Sequence, residues 1–135
     1  MEDNPADVYL FKTALSEVQP DIGLFTVPDG NQALQFIYRR GDFQDSPGCD
    51  LVLLDLNLPG LDGHHFLEIV RTDHELRHVP VAVFSSSRLA GDITRAYSEG
   101  ANAYYRKRGD YPEMVNLIRT IVTHWFEAAQ LPEGL

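Results

Sequence analysis

The chain has 135 residues, 44% of them apolar and 10% aromatic, with one cysteine and a formal net charge of −9. Such a length suits one packed domain without metal or disulfide staples, and no apolar run approaches the ~20 residues of a membrane span. The lone Cys49 excludes an internal disulfide, the start lacks a signal-peptide pattern, which points to a reducing cytoplasm, and the acidic balance repels a nucleic-acid backbone.

In chain order, Glu2 and Asp3 come first, and Asn4 then caps a helix with Pro5 at its first position. Val8, Leu10, Phe11, Ala14, Leu15 and Val18 recur at helical spacing until Gln19-Pro20-Asp21 ends the run. Ile22, Leu24, Phe25 and Val27 predict a strand closed by Pro28-Asp29-Gly30, and a second helix carries Ala33, Leu34, Phe36 and Ile37. Its basic exit, Arg39-Arg40, suits the negative end of a helix dipole, and the loop over 42–49 is polar and rich in breakers.

The stretch DLVLLDLNLPGLDG over 50–63 is the centre of the reading. Leu51, Val52, Leu53 and Leu54 form an apolar run without alternation, as in a parallel strand covered on both faces. Asp55 stands at its end, followed by Pro59, Gly60, Asp62 and Gly63, which force a tight loop. An aspartate there is often only a turn former, so its meaning depends on what else reaches the same edge. In open α/β sheets, ligands bind beyond the carboxyl ends of the strands.

A helix over 63–70 buries Phe66, Leu67, Ile69 and Val70. His74 and His78 have the spacing of metal ligands on a helix face, without the carboxylate motif that accompanies zinc in such sites. Val79 to Phe84 make a second continuous apolar run ending in Ser85-Ser86-Ser87. A helix over 90–99 closes at Gly100, a short strand over 103–106 ends at Lys107, and a last helix over 111–129 carries Met114, Leu117, Ile118, Ile121, Val122 and Trp125.

Strands alternating with helices predict an α/β parallel sheet with right-handed crossovers. One edge then collects Asp55, Ser85 and Lys107, with Glu2 and Asp3 entering before the first helix. Clustered carboxylates repel, and Mg²⁺ relieves that repulsion through carboxylate, water and phosphate oxygens. An ammonium and a hydroxyl each suit a phosphoryl oxygen. The set fits phosphoryl transfer onto Asp55 as an acyl phosphate.

The pieces EDNPAD, LLDLNLPGLDG, VPVAVFSSS and GANAYYRK, spread over nearly the whole chain, resemble the receiver domain of two-component response regulators. The resemblance implies a flavodoxin-like doubly wound parallel sheet. It implies that Glu2 and Asp3 hold Mg²⁺ together with Asp55 and the backbone carbonyl of Asn57. By the same resemblance Asp55 accepts the phosphoryl group, Ser85 is the switch hydroxyl, Lys107 the active-site lysine and Tyr104 the aromatic that turns inward. The donor would be a phosphohistidine on a sensor histidine kinase. EDNPAD, RTDHELRHVPVAVFSSS and HWFE are similar to single-domain receivers served by bacterial phytochrome kinases. Output through the domain's own surface then follows, by docking a downstream protein, passing the phosphoryl group on or forming a homodimer, with neither nucleic acid nor membrane as partner. Tyr97, Tyr104 and Tyr105 beside Arg95, Arg106 and Arg108 are residue types that anchor such surfaces.

Two departures from the pattern carry expectations of their own. Family lysines are commonly followed by a cis proline, whereas Arg108-Gly109 follow Lys107. Receivers also begin with an apolar strand directly before the acidic pair, and here Met1 holds its last position. Residues 1–135 are therefore expected to form a single receiver domain shortened at its amino end and lacking the first strand. The natural start lies upstream, a neighbouring chain supplies a strand, or the sheet rearranges. The rival readings are an aspartyl-phosphate hydrolase, which would want a second acid where Asn57 stands, and a pseudo-receiver that binds a partner without being phosphorylated. On the receiver reading the domain is a signalling module and no enzyme acting on an external substrate.

Overall fold

Three short apolar runs set the frame. The computed structural model describes residues 1–2, 4–45, 48–56 and 63–131. In it β1 (Val52–Leu54), β2 (Val81–Ser85) and β3 (Ala103–Arg106) form a parallel sheet in the order β1-β2-β3. Val52 lies opposite Val81 and Leu54 opposite Val83, while Ser85 lies opposite Arg106. Every residue of β2 is buried, which explains why its sequence shows no alternation.

The helices α1 (Pro5–Val18), α2 (Gly30–Tyr38), α3 (Gly63–Thr72), α4 (Ala90–Ser98) and α5 (Tyr111–Val122) cover the sheet. Two apolar cores result. One joins Val81 and Val83 to Ala33 and Ile37 of α2 and to Phe66, Leu67 and Val70 of α3. The other joins Phe84 to Leu15 of α1 and to Met114, Ile118 and Val122 of α5. Successive strand residues point to opposite faces, so Val83 and Phe84 feed different cores and the sheet is doubly wound, as expected. Helix starts follow the sequence signals: Asn4 accepts from Ala6 N at 2.9 Å, Asp29 from Gln32 N at 2.8 Å and Asp110 from Glu113 N at 2.8 Å.

Arg71, at the end of α3, ties the sheet's far end together. Its guanidinium donates to the carbonyls of Gly100 (2.8 Å), Arg77 (3.0 Å) and Val79 (2.9 Å) and to Asn102 Oδ1 (2.8 Å). Asn102 Oδ1 in turn accepts from Val81 N at 2.8 Å, so one cluster fixes the entries to β2 and β3.

Three expectations are corrected. Residues 22–27 form no strand, because a strand exists only through a neighbouring ladder. What they meet is the tip of one: Glu2 N donates to Val27 O at 3.0 Å, Met1 N to Leu53 O at 2.7 Å, and Asp55 N to Met1 O at 3.2 Å. His74 and His78 fall in a turn over 74–78, so the helix-face spacing does not exist, and no group of three His, Cys, Asp or Glu among the described residues is arranged to hold a metal. The last helix leaves the α form at Val122 and continues as a π-helical segment, Thr123–Ala128. There Trp125 is buried, and its indole donates to Tyr105 Oη at 3.0 Å.

Candidate functional site

Asp55 follows β1 directly, and its main chain is fixed from two sides. Asp55 N reaches Met1 O, and the start of α3 packs against its carbonyl: a Cβ built on Gly63 would stand 2.6 Å from Asp55 O and 2.7 Å from Leu56 Cα. Only glycine admits that approach. Lys107 leaves β3 next to the end of β2, its N donating to Ser85 O at 2.8 Å. The two strand ends thus bring an acid and an amine to one crevice.

At its centre is the Lys107 ammonium. Nζ lies 2.5 Å from Glu2 Oε2, 3.2 Å from Asp55 Oδ2 and 3.3 Å from Asp7 Oδ2. The Phe84 ring lies beneath it at 5.7 Å. Glu2 is held further by Asn4 N, which donates to Oε1 at 3.2 Å. Glu2, Asp55 and Lys107, all named from the sequence, meet. Asp7 was missed; the signal was its place in the first turn of α1, which carries it to the same edge as Glu2. Asp3 and Asn57 lie outside the described residues.

Three carboxylates around one ammonium leave an excess of negative charge, and protonation responds to it. Burial alone would lower the basicity of Lys107, but the hydrogen bond to Glu2 and the charge of Asp55 outweigh it and hold the ammonium well above the usual lysine range. Burial pushes the Glu2 carboxyl up, against the hydrogen bond from Lys107. Each shift favours the protonated form of its group. Two carboxylate oxygens that touch one ammonium form a hard-oxygen donor set of the kind Mg²⁺ or Mn²⁺ uses, so Glu2 and Asp55 fit a divalent cation.

Ser85 ends β2 and is 3% exposed; its Oγ accepts from Ser87 N at 3.3 Å. Tyr104, on β3, donates from Oη to Ser87 O at 3.0 Å, so hydroxyl and aromatic are joined through the 85–87 turn. Of the proposed surface residues, Tyr97 is exposed, Arg95 pairs with Glu99 at 2.8 Å, and Tyr105 accepts from Trp125 within the fold.

The family model for the response regulator receiver domain matches residues 1–119. Response regulator Rcp1 of Synechocystis sp. is 31% identical over 132 residues, covering 98% of this chain and 90% of that protein. Its Mn(2+)-bound form superposes with a TM-score of 0.88 at 31% identity, covering 98% and 96% of the two chains. The phosphorylated cyanobacterial phytochrome response regulator RcpA superposes at 0.91, with 33% identity over 98% of this chain and 95% of that one. A response regulator in red light signaling of R. palustris superposes at 0.92, with 37% identity over 98% and 94%.

Proposed function

The chain belongs to the response regulator receiver domain family, and from that premise we propose that Asp55 is its phospho-acceptor, Lys107 and Ser85 its phosphoryl-contacting groups, and residues 1–135 one receiver domain. Receivers take a phosphoryl group in two-component signalling and bind a divalent metal. The observation that carries the assignment is the Lys107 ammonium 3.2 Å from Asp55 and 2.5 Å from Glu2.

An oxygen of Asp55 attacks the phosphorus of a phosphohistidine; the P–N bond breaks, an O–P bond forms, and the imidazole of the kinase leaves with the displaced electron pair. A divalent cation, Mg²⁺ on this reading, would be held by Glu2 and Asp55 with Asp3 and the Asn57 carbonyl, and would supply charge neutralisation on the transferring group. Lys107 exchanges its carboxylate partner for a phosphoryl oxygen, and Ser85 donates its hydroxyl to another. The 85–87 turn then shifts, and with it the Tyr104 hydroxyl bonded to Ser87.

The donor is a sensor histidine kinase of the phytochrome type, in keeping with RcpA, a phytochrome response regulator, and with the R. palustris regulator of red light signaling. The domain works in the cytoplasm as a signalling module on its own acid, not as an enzyme on an external substrate, and signals through its surface to a downstream protein, a phosphotransfer partner or a second copy. The pseudo-receiver alternative has no supporting observation, since acid and amine both stand in the crevice. Incubation with acetyl phosphate or beryllofluoride and Mg²⁺ tests the reading by intact mass and ¹⁹F NMR. One adduct is expected on the wild type and none on Asp55→Asn; no adduct on the wild type, or an undiminished one in the variant, refutes it.

A further inference from the structure

Asp7 is a third acid at the Lys107 ammonium, and neither the phosphoryl transfer nor the metal site described above uses it. Its place follows from the helix that carries it. Asp7 lies in the first turn of α1, behind the Asn4 cap, and Phe11 stands four residues on, on the same helix face. Phe11 packs edge-on against Phe84 with 5.6 Å between ring centroids, and the Lys107 ammonium lies over the same Phe84 ring at 5.7 Å. One ring thus seats both the helix and the lysine, and the Asp7 carboxylate arrives 3.3 Å from Nζ.

The three acids differ in what else claims them. An ammonium has three N–H donors, and Glu2, Asp55 and Asp7 lie 2.5, 3.2 and 3.3 Å from it. The side chains of Glu2 and Asp55 are 15% and 14% exposed, that of Asp7 42%, so Asp7 stands at the mouth of the crevice. Among the described residues no three of His, Cys, Asp and Glu are arranged to hold one metal, which leaves Asp7 outside the donor pair Glu2 and Asp55. Asp7 also differs in its support: Glu2 precedes the helix and Asp55 follows a strand, whereas Asp7 is part of α1, whose register is fixed by the buried Ala14 and Leu15.

On the receiver reading, Glu2 and Asp55 turn oxygens to a divalent cation, and a phosphoryl oxygen succeeds Asp55 as an acceptor for Lys107. A lysine released at its tip regains rotamer freedom, which capture of the phosphoryl group must then remove again. We propose that Asp7 is a positioning residue for Lys107: it keeps one ammonium N–H bonded while Glu2 and Asp55 serve the cation, and so holds the amine where the incoming phosphoryl oxygen needs it. The proposal rests on the metal and phosphoryl roles given above and adds to them a residue that touches neither group.

The test reads the ammonium directly. The chain has two lysines, Lys12 and Lys107, and Lys12 is exposed, so in ¹⁵N–¹H spectra of the full chain in cold, mildly acidic buffer only the bonded Lys107 ammonium exchanges slowly enough to be seen. In the wild type its signal is expected both without metal and with saturating Mg²⁺. In Asp7→Asn it persists without metal, held by Glu2 and Asp55, and broadens away on adding Mg²⁺; Asp7→Glu retains it in both conditions. Phosphorylation of Asp7→Asn by acetyl phosphate slows about three- to tenfold, the scale of one partly solvated charge-assisted hydrogen bond, while Mg²⁺ affinity changes by no more than about threefold. A signal that survives Mg²⁺ in Asp7→Asn, a signal already lost from that variant without metal, or an undiminished phosphorylation rate overturns the proposal. So does a loss of Mg²⁺ affinity beyond about tenfold, which would make Asp7 a ligand. A wild type that binds no Mg²⁺ refutes the metal site and this proposal together, whereas the expected ammonium spectra without a phosphoryl adduct on Asp55 support the positioning of Lys107 and refute only the acceptor assignment.

Discussion

The Lys107 ammonium stands 3.2 Å from Asp55 and is shared with Glu2 and Asp7. Replacing it by an uncharged side chain removes a counter-charge that those partly buried acids share. Lys107→Gln is expected to cost roughly 1–3 kcal/mol of metal-free stability at neutral pH, less than a fully buried pair because Asp7 is partly solvated. Millimolar Mg²⁺ recovers most of it. Divalent affinity rises in the variant, because the lysine no longer competes for the same oxygens, while phosphorylation by acetyl phosphate slows. Urea unfolding with and without Mg²⁺ measures the first pair of effects; a variant as stable as wild type in both conditions contradicts the charge argument.

Gly63 sits against the Asp55 carbonyl with no room for a methyl group. Gly63→Ala must move backbone on one side or the other, since the atoms it meets are Asp55 O and Leu56 Cα. A loss of about 2–4 kcal/mol is expected, in the range of core overpacking, together with weaker divalent binding because Asp55 is displaced. Denaturation and Mn²⁺ titration of one preparation check both; a stable variant with wild-type Mn²⁺ affinity shows that the contact relaxes freely.

What the sequence revealed of this site, and what it hid, divides along physical lines. Asp55, Lys107 and Ser85 were legible because each stands at or directly after the end of a short strand-forming run, and parallel strands deliver their carboxyl ends to one edge. Glu2 was legible through the family pattern. Asp7 was not, since an acid in the first turn of a helix is read as a response to the helix dipole before its distance to a remote lysine is known. Residues 22–27 have strand-like residues and a strand's closing turn, yet pairing is a property of neighbours, and over 22–26 a cavity of about 440 Å³ lies between them and residues 48–53. Arg71 was not legible, because three of its acceptors are the main-chain carbonyls of residues 77, 79 and 100, which carry no sequence signature.

Arg71 uses its fork on four neutral oxygens, from Arg77, Val79, Gly100 and Asn102. Burial lowers its basicity, and no carboxylate figures among those bonds, so its worth is directional donation more than charge. Arg71→Ala should cost about 2–4 kcal/mol by stranding several half-buried acceptors, and Arg71→Lys should recover less than half, because an ammonium cannot span the same oxygens. Thermal melts of the two variants decide it; equal stability of Arg71→Lys and wild type removes the geometric account.

Ser85 and Tyr104 are linked through Ser87, whose N donates to the Ser85 hydroxyl and whose carbonyl accepts from Tyr104. Ser85→Ala is therefore expected to accept the phosphoryl group near the wild-type rate while losing most of the amide shifts of residues 86–104 that follow beryllofluoride addition. If those shifts persist in the variant, coupling does not pass through this hydroxyl.

The pH dependence of metal binding follows from Glu2. Burial raises its carboxyl above the ordinary glutamate range near 4.3. A raised acid binds more protons in the folded than in the unfolded chain, so in metal-free protein its contribution to stability is present at low pH and is lost as pH rises through its folded pKa. A divalent cation reverses the sign, because it binds only the ionised form and must displace the proton. Mn²⁺ affinity is therefore expected to climb through a window above pH 4.3, by up to tenfold per unit while Glu2 titrates, and then to level off. Glu2→Gln should bind more weakly at neutral pH and lose that climb. Isothermal titration in buffers of differing ionisation enthalpy, which also counts the proton released, provides the measurement. A wild-type affinity flat through that window, or an equal slope in Glu2→Gln, would show that the carboxyl at residue 2 is not the group that exchanges a proton for the cation.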